Sequence, residues 1–195
     1  MALSKVDAVN FLTGTIPSGN VANATLNAVT TLPGAIATGK VLQVVSATKT
    51  DTQTTSTATF VDVSGLSLSI TPSSASNKIF LVCDINIDAS GRYFGVRFVR
   101  DSTDIGIGDA ESNRTRVTVS SQSNDSASYD DYVMHNSSAS FLDTPNTTSA
   151  TTYKIQAGKH YDTASNLYIN RPAYDDDNTY IARGISTLTA CEIAG

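Results

Sequence analysis

Groups able to do chemistry gather in two stretches of this 195-residue chain: SYDDY at 128–132 and AYDDDNTY at 173–180. Adjacent carboxylates with an Asn suit one of two ligands. Ca²⁺ takes six to eight oxygens. A sugar offers hydroxyl protons to carboxylate or amide oxygens and lays its apolar face on an aromatic ring. Neither stretch has the spaced ligands of a calcium loop, so no metal or other cofactor is expected. The sugar reading singles out Tyr129, Asp131, Tyr132, Tyr174, Asp176 and Tyr180. Its plain competitor is a pair of solvated acidic loops with ordinary loop aromatics.

Catalysis finds no foothold. The chain lacks a G-x-S-x-G elbow and a P-loop, and the nearest approach to a dinucleotide loop, GIGDAE at 106–111, has Glu where the third Gly is required. His135 and His160 lie far apart, with no metal-ligand spacing around either. Polysaccharide hydrolysis would need two carboxylates at a fixed separation, which these loops do not specify. The expectation is a protein with no catalytic residues.

Composition removes further classes. A formal charge of −5 and the absence of any Lys/Arg cluster argue against nucleic acid as a partner. Charged residues make up only 16%, against about 25% in an average soluble protein, so the surface is rich in Ser, Thr and Asn. Cys83 and Cys191 both sit in apolar runs and read as small buried hydrophobes. No apolar run approaches the roughly 20 residues of a membrane span. The opening MALSKVDAVNFLTG lacks the basic and apolar regions of a signal peptide, so a soluble chain made without the secretory route is expected.

The elements that would position the acidic loops are strands. From Gly39 onward about ten candidates follow at short spacing: 40–48, 57–63, 66–70, 78–87, 92–101, 115–121, 138–143, 151–157, 166–170 and 184–194. Their period is two. In KIFLVCDINI, Ile79, Leu81, Cys83, Ile85 and Ile87 share one face, while the other starts with Phe80 and Val82 and turns to Asp84 and Asn86. Such a strand, covered on both faces at one end and wet on one face at the other, fits a sandwich whose edge abuts another subunit. Connections rich in Pro, Gly, Asn, Asp and Ser, such as 71–77, 88–91 and 171–178, complete an all-β, antiparallel β-sandwich or jelly roll over residues 39–195.

Residues 1–38 differ in kind. LTGTIPSGNVANATLNAVTTLPGAIATG is a low-complexity string that cannot close a core of its own. It reads as a short extended attachment or shaft segment. Its apolar residues Val6, Val9, Phe11, Leu12 and Ile16 are the expected docking surface for a partner.

The running text of GKVLQVVSATKTDTQTTSTATFVDVSGLSLSITPSSASNKI, VRFVRDSTDIGIGDAESNRT, SFLDTPNTTSATTYKIQ and YINRPAYDDDNTYIARGISTLTACEIAG resembles the carboxy-terminal head domains of tail-fibre and related virion proteins of tailed bacteriophages, especially phages of aquatic bacteria. The likeness covers about residues 39–195. It implies a trimeric jelly-roll head, carried on the virion by an amino-terminal segment that docks to other virion proteins and free to bind host surface glycan. The alternative in the same setting is a capsid decoration or cement protein with no receptor.

Overall fold

Alternation of branched apolar and hydroxyl residues favours pleated strands with one wet face, and the computed structural model has that architecture. It describes residues 40–57, 59–89, 93–122, 130–160 and 166–195. Thr38–Gly195 form one compact unit. Among the described residues eleven strands follow in chain order: β1 (Val41–Lys49), β2 (Gln53–Thr55), β3 (Val61–Ile70), β4 (Lys78–Asp88), β5 (Tyr93–Arg100), β6 (Thr103–Ile105), β7 (Val119–Gln122), β8 (His135–Asp143), β9 (Thr151–Lys159), β10 (Leu167–Ile169) and β11 (Ser186–Ile193). Among the described residues the only helix is a single 3₁₀ turn, Asp130–Tyr132.

The strands form two antiparallel sheets. In the six-stranded sheet, β4 is the hub: β8 runs along one edge, while β11 and then β10 share the other, with β1 outside β11 and β2 outside β10. The five-stranded sheet runs β3-β9-β5, and β6 and β7 divide the far edge of β5. One apolar cluster draws on both sheets, including Leu66, Leu68 and Ile155 from one and Ile79, Leu81, Cys83, Ile85, Ile87 and Leu188 from the other. The face predicted from the alternation in β4 is therefore the core face.

Differences from the sequence reading have local causes. The expected strands 57–63 and 66–70 are one strand, β3, because Gly65 adopts φ +82° inside a register shift and makes a bulge where a turn was expected. Strands β2 and β6 went unread: three residues each, they carry too little apolar pattern. Cys191 is half-buried on the outer face, whereas Cys83 is buried in the core with its thiol pushed up to about 12 by burial, with the neighbouring Asp84 adding to it.

Polar residues close the ends of the core. At one end the Glu192 carboxylate accepts from Asn77 Nδ2 (2.6 Å), Ser73 N (2.6 Å), Ser73 Oγ (2.7 Å) and Gln43 Nε2 (2.6 Å), tying the β3–β4 connection to β1 and β11. Burial pushes this carboxyl up, but the hydrogen bonds together outweigh it and hold it down at about 2. Between the sheets, Arg100 Nη1 donates to both oxygens of Asp143 at 2.9 Å, and Tyr153 donates its phenol proton to the same carboxylate at 2.6 Å.

Candidate functional site

The connection from β10 to β11, residues 170–185, carries three of the six predicted sugar-binding residues, Tyr174, Asp176 and Tyr180. Its two ends are held together because Gly184 N donates to Asn170 O at 3.1 Å. Asn170 is buried with φ +61°, a conformation Asn tolerates, and its Nδ2 donates to the carbonyls of Lys49 and Asp51, both at 2.9 Å. Ser186 Oγ donates to Asn170 Oδ1 at 2.6 Å.

Further along, the loop is fixed to the sheet below it. Asp88, buried at the end of β4, accepts from Ala89 N and Ala173 N, each at 2.6 Å. Arg171 lies over the Tyr168 ring at 4.3 Å and donates to Thr54 Oγ1 at 3.1 Å. Inside the loop, Asn178 N donates to Asp176 O (2.9 Å) and Ile181 N to Asn178 O (3.0 Å), so the tip is a series of tight turns. A charged and hydroxyl-rich segment is thus ordered by backbone bonds to buried anchors.

This loop meets the segment that enters β8. Tyr174 N donates to Asp131 O at 2.8 Å. The Tyr132 ring lies 4.7 Å from that of Tyr174 (59° between planes) and 5.7 Å from that of Tyr180 (69°). Tyr132 is half-buried, whereas Tyr174 is 40% and Tyr180 60% exposed. The result is a three-ring platform with one ring as floor and two open to solvent. Tyr174 donates its phenol proton to Asp176, and that bond, with the nearby carboxylate charge, pushes the phenol up to about 12. It stays neutral at physiological pH.

Beside the platform lies an open cleft of about 270 Å³, lined by Asp175, Asp176, Asp177, Asn178, Ile181 and Arg183. Asp175 pairs with Arg183 Nη1 at 2.5 Å and Arg171 Nη1 at 3.4 Å. The cleft lining therefore offers carboxylate and amide oxygens, and the Tyr174 phenol, bonded to the lining residue Asp176, links it to the rings; sugar hydroxyls and an apolar sugar face are matched by these two kinds of group.

Of the predicted sugar-binding residues, the fold brings Asp131, Tyr132, Tyr174, Asp176 and Tyr180 together, although 42 to 49 positions separate the two stretches. Tyr129 lies outside the described residues, as do the predicted docking residues Val6, Val9, Phe11, Leu12 and Ile16. Arg171, Ile181 and Arg183 went unread, because only the closed loop turns an Arg at each end toward one Asp. Among the described residues, no group of three or more His, Cys, Asp or Glu is placed to hold a metal ion.

One Ser–His contact invites a catalytic reading and does not support it. Ser120 Oγ lies 3.0 Å from His160 Nε2 and 3.1 Å from Phe94 O. The hydroxyl can therefore donate to the carbonyl or to the imidazole, and the His160 tautomer decides which, so the contact by itself defines no general base.

A second surface is apolar. On the outer face of the six-stranded sheet the register aligns Val44 with Cys191, Cys191 with Phe80, and Phe80 with Leu142, one residue from each of four neighbouring strands. Val44 is 59%, Leu142 47% and Phe80 37% exposed. The next row is Ser46, Thr189, Val82 and Ser140, without a charge. No protein-family model matches the chain, and no curated protein matches it in sequence.

Proposed function

We propose that the chain is a virion structural protein of a tailed bacteriophage, a homotrimeric tail fibre or fibre-like protein that binds host surface glycan. The observation that carries the binding role is the Tyr132–Tyr174–Tyr180 platform beside the acceptor-lined cleft. The virion setting rests on the resemblance of residues 39–195 to phage head domains. In this reading residues 1–38 attach the head to other virion proteins, and the chain works on the particle as a binding protein, not an enzyme.

Strand order supports a jelly roll. Of eight main strands, taken in chain order as β1, β3, β4, β5, β7, β8, β9 and β11, one sheet runs first-eighth-third-sixth and the other second-seventh-fourth-fifth. That interleaving is two nested Greek keys. The outer-face row of exposed Val44, Phe80 and Leu142 with half-buried Cys191 supports assembly, since a contiguous apolar strip on a β-sheet is a surface for another protein. Weak binding per head then gains from three linked copies.

The same row favours a second reading, a decoration or joint protein of the capsid, which needs the apolar contact and no receptor. Substituting Tyr174→Ala and Tyr180→Ala together separates the two. Loss of adsorption to host cells with particle assembly intact supports receptor binding; unchanged adsorption supports the joint protein.

A further inference from the structure

We propose that the cleft selects glycans by charge: its ligand is a segment of neutral or amino sugar, and chains bearing carboxylate or phosphate are rejected. This rests on the glycan-binding reading above and names the class of sugar. The cleft lining carries three carboxylates, Asp175, Asp176 and Asp177, against one guanidinium, Arg183, with Arg171 reaching Asp175 from outside the lining. Both guanidiniums pair with Asp175, so among the described residues the charges of Asp176 and Asp177 are left without an ion pair.

The hydrogen-bond inventory points the same way. Asp176 accepts the Tyr174 phenol, which orients the carboxylate and leaves it further lone pairs. Asp177 and Asn178 add exposed side-chain oxygens to the lining. Two backbone donors in this turn, Asn178 N and Ile181 N, are spent on Asp176 O and Asn178 O. What remains is a wall dominated by acceptors, matched by hydroxyl, amide N–H or ammonium donors and mismatched to oxyanions, which would meet like charge at close range. The cleft's volume of about 270 Å³ falls just below the roughly 300–1,000 Å³ of drug-sized ligand sites. That is room for one ring at a time.

The test uses three trisaccharides of matched length on the full chain: the N-acetylglucosamine trimer, its de-N-acetylated trimer and trigalacturonate. Tyrosine emission and calorimetry read binding. The first two are expected to bind, the cationic one more tightly at low salt and converging on the neutral one as salt rises, with trigalacturonate at least tenfold weaker. Asp176→Asn with Asp177→Asn is expected to narrow that gap, mainly by improving trigalacturonate. Trigalacturonate binding as tightly as the others would overturn the charge selection while leaving a glycan site in place. Binding of none of the three would overturn the glycan reading itself.

Discussion

At its Phe80 end the outer face of the six-stranded sheet shows water a strip of Val, Cys, Phe and Leu; at its Asp88 end the same face lies under the 170–185 loop. One strand, β4, runs through both. Its inner face is uniform, with Ile79, Leu81, Cys83, Ile85 and Ile87 all buried. Its outer face changes from apolar and open to polar and covered within nine residues, Phe80 to Asp88. Burial of the core therefore leaves the outer face free to specialise. One end is suited to another protein surface, and the other anchors a loop carrying aromatic rings and carboxylates.

The substitution expected to act most strongly on this contrast is Asp88→Ala. It removes the acceptor for Ala89 N and Ala173 N at a buried position and is expected to cost about 2–4 kcal/mol in urea unfolding. Sugar binding should be lost with the loop, while association through the Phe80 end survives at temperatures where the protein stays folded. Loss of association with retention of binding would invert the comparison.

Acid addresses the opposite end of the core. The Glu192 carboxyl is held at about 2 in the folded chain against an ordinary 4.5. Its charged form is thus favoured by folding: the contribution is complete above about pH 4.5 and is lost as pH falls through 2. At most about 3 kcal/mol is involved. Urea midpoints between pH 6 and pH 2.5 should fall less steeply in Glu192→Gln than in the parent chain; parallel slopes would remove the network from the account.

The smallest effect is expected from Tyr174→Phe. Deleting one exposed phenol oxygen should change unfolding by less than about 0.5 kcal/mol, in the range of surface substitutions. An alkaline absorbance titration should lose one late-ionising tyrosine, because Tyr174 is pushed up to about 12 by its bond to Asp176. Tyr153, raised further by burial and by donating to Asp143, stays in the late group. An unchanged titration would mean that the Tyr174–Asp176 bond does not shape the cleft.

The core was legible because alternation is a local signal: five residues of one face of β4 can be read at a period of two. The platform was legible in its members and not in its geometry. Tyr beside Asp could be picked out from residue type alone, but what joins residues 131–132 to 174–180 is a backbone bond and the burial of Asp88 and Asn170, all long-range. Gly65 misled because glycine usually punctuates strands, and only pairing with β9 turns it into a bulge. One member of the apolar row, Phe80, was visible on the outer face of β4. Val44 and Leu142 join it through register, which no single strand encodes.

Light scattering tests the assembly claim most directly, comparing the full chain with its Phe80→Ser, Leu142→Ser double variant. A mass near three times 20.5 kDa, about 61.5 kDa, for the parent and near 20.5 kDa for the folded variant is expected if the open apolar end joins three copies. A parent chain that stays at 20.5 kDa at all concentrations, or a variant that remains trimeric, would contradict it.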